Sequence, residues 1–233
     1  MIDPSNIVFI CGFTRGGTTW LRSIVGSHPH VCEIKKELVV FRDRPTCEKA
    51  LERINEHWDG SPFIVEKSPA SAKYLSHAFD VLPEAKYVFV IRDPRDCFIS
   101  HLRSTRPWTD GGNSTIEGCL GKLRSYWESF ATVRHVTAGC VVQYENIHKD
   151  FSKTIGGLFQ YIGLDYDSDL LESIRQSCSF KGQTGREAGL EDRGAAKRKG
   201  IVGDWKNYLS NKDATWLMNE AFWGDFMQSF GYG

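Results

Sequence analysis

Two clusters in this 233-residue chain have the residue types and spacing of anion-binding chemistry. The first is Gly12-Phe-Thr-Arg-Gly-Gly-Thr-Thr-Trp20, a glycine-rich loop followed by hydroxyl residues. Free backbone N–H groups in such a loop, and at the helix start behind it, point at a phosphate, and the helix dipole favours the negative charge. Gly12 and Gly17 keep the spacing of a Walker A loop, but Thr18 stands where that loop has lysine, and the basic residue, Arg15, lies inside the loop. The departure weakens the case for Mg²⁺-assisted transfer of a γ-phosphoryl group. It suits a single nucleotide 5′-phosphate, with Gly16 and Gly17 in the loop, Thr18 and Thr19 as hydroxyl donors and Arg15 as a fixed cation. The second cluster is Arg92-Asp-Pro-Arg-Asp-Cys-Phe-Ile-Ser100. Arg92 ends an apolar run, and helical side chains tilt toward the N-terminus, so Ser100 in the second turn of a following helix can face the same anion as Arg92.

Both clusters need a strand in front and a helix behind, and the sequence predicts both. Ile7-Val-Phe-Ile-Cys11 and Tyr87-Val-Phe-Val-Ile91 are continuous apolar runs, the pattern of strands buried on both faces of a parallel sheet. Phe63-Ile-Val65 and Cys140-Val-Val-Gln-Tyr144 are shorter strand candidates. A helix is expected over Thr18–Val25, closed by Gly26 and Pro29; another starts at Asp93-Pro94, with Asp as N-cap and Pro at the first helical position. Ile116, Leu120, Leu123, Trp127 and Phe130 trace one face of a long amphipathic helix, and Phe151, Ile155, Leu158, Phe159 and Ile162 trace another. Lys181–Gly200 is almost without apolar residues and reads as a long loop, a type that is usually functional or disordered. A last helix is expected from about Ala214 through Phe230. Strands alternating with helices imply an α/β fold with a central, mainly parallel sheet flanked by helices. With no repeat, linker or break in composition, one domain over residues 1–233 is expected.

Composition narrows the function classes. Lys+Arg 29 balances Asp+Glu 29, which argues against a nucleic-acid binder working through a broadly basic surface while leaving room for a local basic pocket. No apolar run is long enough to span a bilayer, and the first residues carry no secretory signature. The seven cysteines are widely spaced with no CxxC pair, so a disulfide framework and a zinc site are both disfavoured and a cytoplasmic, reducing location is expected. His28-Pro-His30 has the wrong company for a metal site, and no metal is expected.

At these motifs the chain resembles the sulfotransferases that use 3′-phosphoadenosine 5′-phosphosulfate (PAPS). Gly12 to Trp20 is similar to their 5′-phosphosulfate loop, and Tyr87 to Ser100 to their 3′-phosphate motif. Arg198-Lys-Gly-Ile-Val-Gly-Asp-Trp-Lys-Asn is similar to the late RKGxxGDWKN signature of the cytosolic branch, and Gln143-Tyr144-Glu-Asn to its YED segment. The matches are ordered along the chain from residue 7 to residue 210. The resemblance implies a P-loop-like fold, PAPS as donor and 3′-phosphoadenosine 5′-phosphate (PAP) as product. It assigns Arg15, Gly17, Thr18 and Thr19 to the 5′-phosphate end. Arg92, Ser100, Arg198, Lys199 and Gly200 go to the 3′-phosphate, and Trp20, Tyr144 and Phe180 to the adenine.

The catalytic segment departs from the cytosolic branch. Where that branch carries a KTHLP-like stretch with a catalytic histidine, this chain has Val65-Glu-Lys-Ser-Pro-Ala70. That stretch looks like the EKSPAY-type segment of the carbohydrate-modifying sulfotransferases, whose KExxxF-like segment is matched by Lys36-Glu-Leu-Val-Val-Phe41. The resemblance makes Glu37 the general base, Lys67 its cationic partner and Arg15 a further catalytic cation, with Glu33 the competing carboxylate and His28 or His101 the second choice. The acceptor is expected to be a small molecule or a glycan, its pocket built by residues 39–59, the segment after Trp108 and the late loop. Two alternatives stay open at this point: a small-molecule kinase using ATP and Mg²⁺, and a nucleotide-binding protein without chemistry.

Overall fold

The computed structural model describes residues 1–106, 115–137, 139–217, 219 and 221–232. Trp108 and the segment after it lie outside the described residues, as does the side chain of Ile116. Among the described residues, strands β1 (Ile7–Gly12), β2 (Val31–Glu33), β3 (Phe63–Lys67), β4 (Lys86–Ile91) and β5 (Cys140–Gln143) form one sheet in the order β2-β3-β1-β4-β5. Every pairing is parallel, with Phe9 of β1 level with Glu66 of β3 and Tyr87 of β4. A parallel pair cannot be joined by a tight turn, so each return crosses a face of the sheet, and both faces become covered.

Strand alternation divides the core in two. Ile7, Phe9 and Cys11 with Tyr87, Phe89 and Ile91 pack on the helices Ala50–Asn55, Leu75–Val81, Ile116–Thr137 and Ala221–Phe230. Val8 and Ile10 with Val65, Val88, Val90 and Val142 pack on Thr18–Gly26, Phe151–Ile162 and Ser168–Ser177. Each fully buried Val or Ile contributes about 1.5–3 kcal/mol. Beyond β1 the chain runs to the β2 edge, returns through β3 and then crosses to β4 on the other side of β1. The strand order therefore reverses at β1, and ligands of open α/β sheets bind outside the carboxyl ends of the strands at such a reversal.

Besides helices that the sequence reading did not anticipate, Arg44–Glu48, Ala50–Asn55, Leu75–Val81 and Ser168–Ser177 among them, the structure departs from it in four places. β2 was not anticipated; its three residues sit at the sheet edge, continued by Ile34 N–H to Val65 O at 3.0 Å. Tyr144 is not strand but the first residue of a helix, Tyr144–Lys149, because β4 ends at Ile91 and offers no partner beyond Gln143. The start of the expected 181–200 loop belongs to a short helix, Phe180–Thr184, capped by Ser179 Oγ accepting from Gly182 N–H at 2.9 Å. The expected last helix is two, Asn211–Leu217 and Ala221–Phe230, with Asn219, a weak helix former, outside both.

Candidate active site

The loop after β1 turns sharply to start the Thr18–Gly26 helix. Phe13 N–H donates to Val90 O at 3.0 Å, Gly16 N–H donates to Phe13 O at 2.9 Å, and Arg15 takes a left-handed φ of 64°. A non-glycine residue there is uncommon and marks a constrained position. Gly17, the N-cap, has φ 97°, and a Cβ on it would stand 2.4 Å from the Tyr144 ring, so only glycine fits. No side chain caps this helix start, which leaves its first turn available to an anion.

Arg92 leaves the end of β4 directly beside this loop. Its Nη2 donates to Asp96 Oδ2 at 3.1 Å and Ile201 O at 2.8 Å, its Nη1 donates to Arg15 O at 3.3 Å, and the guanidinium stacks 4.3 Å from the Tyr144 ring centre. Arg15 Nε donates to Ser100 Oγ at 2.9 Å. The two anion motifs, 85 residues apart in the chain, therefore meet side chain to side chain. Burial, with Arg198, Arg92 and Arg106 nearby, pushes the Arg15 guanidinium pKa down to about 10, because each neighbouring positive charge disfavours another.

The late loop closes over this point. Asp96 accepts from Gly203 N–H at 2.8 Å and Trp205 N–H at 2.9 Å, so one buried carboxylate ties Arg92 to the late loop. Arg198 pairs with Glu191 and Asp204, and Lys199 reaches Asp204 at 2.6 Å. Burial opposes ionisation of Asp204, yet the hydrogen bonds from Lys199 and Arg198 hold its carboxyl below the ordinary value. Gly200 has φ 69°, and a Cβ there would lie 2.2 Å from the Phe180 ring. Across from Phe180, Trp20, Tyr144 and His148 form an aromatic group, with Trp20 centred 5.4 Å from Tyr144 and 4.7 Å from His148, and Trp20 Nε1 donating to Cys178 O at 2.7 Å.

At the other end, Lys67 terminates β3 and forms an ion pair with Glu37. The Lys67 side chain is 4% exposed and that of Glu37 48% exposed, so the amine is buried while the carboxylate stays half open to solvent. Burial lowers the Lys67 ammonium pKa, and Glu37 partly opposes that. Glu33 is committed elsewhere, accepting from Arg22 Nε at 2.9 Å. His28 lies against Phe159 with its Nε2 2.8 Å from Asp165 O. Neither of these, nor His101, is among the residues lining the cavity described next.

One cavity of about 590 Å³ joins the loop after β1, Arg92, the 198–200 segment and the Glu37–Lys67 pair. Arg15, Gly17, Thr18, Thr19, Trp20, Glu37, Lys67, Arg92, Ser100, Tyr144, Phe180, Arg198, Lys199 and Gly200 line it; of the residues assigned from sequence, only Gly16 does not. In a chain of zero formal charge, the described lining has seven cationic side chains and one carboxylate, Glu37. Sequence reasoning assigned no role to nine of its members, among them the polar Arg106, His148, Gln183 and Lys197. Only His148 left a usable signal, lying four residues after Tyr144 and therefore on the same helix face. The buried Nε atoms of Arg92 and Arg198 have no partner among the described residues, so the basic lining retains donors to offer.

A sulfotransferase-domain family model matches residues 5–220, and the chain belongs to that family. It is 23% identical to the flavonol 4′-sulfotransferase of Flaveria chlorifolia over 88% of this chain and 74% of the relative. It is 25% identical to the human sulfotransferase 1C2 over 92% of this chain and 80% of that relative. In fold it is similar to the crystal structure of mouse sulfotransferase SULT7A1 complexed with PAP, at a TM-score of 0.67 and 18% identity, covering 99% of this chain and 90% of that one. The expected P-loop-like α/β architecture is thus the family's, and the small-molecule kinase alternative is not favoured. Among the described residues, no helix is long and apolar enough to cross a membrane.

Proposed function

We propose that this protein transfers the sulfuryl group of PAPS to a hydroxyl of a small-molecule acceptor, leaving PAP. The observation that carries the reading is the single cationic cavity in which the loop after β1, Arg92 after β4 and the 198–200 segment converge, with the Glu37–Lys67 pair at one end. The donor supplies an activated sulfuryl group between two anionic ends. Arg15, Thr18, Thr19 and the uncapped helix start suit its 5′ end. Arg92, Ser100, Arg198, Lys199 and Gly200 suit its 3′-phosphate, and Trp20, Tyr144 and Phe180 supply flat faces for the adenine. Free donors on Arg92 and Arg198 and the close glycine contacts at Gly17 and Gly200 fit such a ligand.

In this reading the residues act as follows. Glu37 accepts the proton of the acceptor hydroxyl, and its half-exposed carboxylate can be reached by an incoming hydroxyl. Lys67, buried with its charge facing Glu37, fixes the orientation of that base and sets a positive charge beside the reacting oxygens. Arg15 and the helix start take up charge on the departing phosphate oxygens. The names of the flavonol relatives favour aromatic hydroxyl acceptors, while the Glu37–Lys67 pair looks like that of the carbohydrate branch. Incubation with ³⁵S-labelled PAPS and a panel of flavonols, 4-nitrophenol and a glucosamine-containing saccharide separates these classes. Label in a phenolic product supports the reading; label only in the saccharide moves the acceptor class, and no transfer to any acceptor contradicts it.

A further inference from the structure

Three consecutive residues at the end of β3 grip three consecutive residues of the irregular segment that carries Glu37. Glu66 Oε1 accepts from Leu38 N–H at 3.0 Å, Lys67 pairs with the Glu37 carboxylate, and Ser68 Oγ accepts from Val39 N–H at 2.9 Å. Ser68 in turn donates its hydroxyl to Glu66, and Arg53 Nη2 donates to Leu38 O at 2.8 Å. Glu66 is 1% exposed and Ser68 is fully buried; neither lines the cavity. Residues 35–41 belong to no helix or strand, so no ladder holds this backbone in place. Val39 nevertheless takes φ 50°, a left-handed conformation that a β-branched residue keeps only where its surroundings determine it. The two side-chain bonds fall on that residue and on the one before it.

We propose that Glu66 and Ser68 are positioning residues which, by holding the Leu38 and Val39 amides, aim the Glu37 carboxylate at Lys67. The inference deepens the reading of Glu37 as base and rests on it for its functional meaning. An apolar side chain at position 66 would bury equally well, but only an acceptor can hold the Leu38 N–H, and a buried acceptor left without donors would be costly. The carboxylate and the hydroxyl therefore use each other and the two amides as their partners.

The test reads the clamp without needing an acceptor. Ser68→Ala removes no ionisable group around Lys67 (Glu37, Arg22 and Glu66), but it takes away a hydrogen bond that lowers the Glu66 carboxyl, so its Lys67 titration is read against that of Glu66→Gln, which carries no charge at position 66. We expect amide exchange at Val39 to quicken at least tenfold. The Lys67 titration, followed by NMR of its Cε, should move down by half a unit or more toward that of Glu37→Gln, and PAP affinity should stay within twofold. Glu66→Gln keeps an acceptor and should retain Leu38 protection, whereas Glu66→Ala should lose it at least tenfold. Lys67 titrating as in the wild type in Ser68→Ala, or Leu38 protection unchanged in Glu66→Ala, overturns the proposal. Should Ser68→Ala fail to bind PAP through misfolding, the Glu66→Gln and Glu66→Ala pair still decides. Full sulfuryl-transfer turnover in Glu37→Gln would end the base role while leaving these clamp readouts standing.

Discussion

Glu66 shows how one residue's environment becomes a measurable property of the protein. Burial raises its carboxyl to about 7, against the hydrogen bonds from Ser68 and Leu38 that lower it. With a folded-state pKa above the unfolded one, the native state holds a proton that the unfolded chain has released between about pH 4.5 and 7. Stability from this group is thus complete below that window and lost as pH rises through it, by about 3 kcal/mol in total. Glu66→Gln, which cannot ionise, should gain on the wild type by that order when urea melts at pH 5 and pH 8 are compared; an unchanged difference contradicts the assignment. At the same scale, Glu37 is the base in the proposed function. Glu37→Gln should bind PAP as the wild type does and lose about 10²–10⁴-fold in turnover, the usual contribution of a positioned base. Steady-state rates beside a binding titration check both halves.

At the scale of elements, the site is a meeting of strand ends, and its weak joint is the late loop. Asp204, 1% exposed, is the shared partner of Arg198 and Lys199, and Asp96 fastens the same loop to Arg92. Removing one partner of a buried pair leaves the other charge uncompensated, at a cost of about 3–5 kcal/mol. Asp204→Asn should therefore lower the melting temperature and weaken PAP binding together, and retention of both in calorimetry would show that the loop is held by other means. Gly17→Ala tests the opposite joint: the added methyl meets the Tyr144 ring and a φ of 97°. Nucleotide affinity should fall at least tenfold in a protein that still folds, as read by circular dichroism.

Over the whole molecule, legibility followed the length of the signal. β1 and β4 are continuous apolar runs, and both anion motifs hang on their ends, so strand and site could be read together. β2 could not, being three residues at an edge, and Glu66 was hidden because a carboxylate inside β3 gives no sign of whether it meets solvent or a backbone amide. Arg106 and Lys197 come from loops and Gln183 from the short helix Phe180–Thr184, all placed by tertiary contacts, and nothing in their spacing distinguished them from solvated polar residues. What the chain as a whole builds is a net-neutral body in which seven cationic side chains and a single carboxylate line one cavity. That asymmetry is the central claim, and calorimetric titration with PAP in EDTA, set against ATP with Mg²⁺, tests it most directly. The account predicts micromolar or tighter, metal-independent binding of PAP that Arg92→Ala weakens at least tenfold, with ATP binding far less. Binding of ATP with Mg²⁺ and none of PAP, or undiminished PAP affinity in Arg92→Ala, would contradict it.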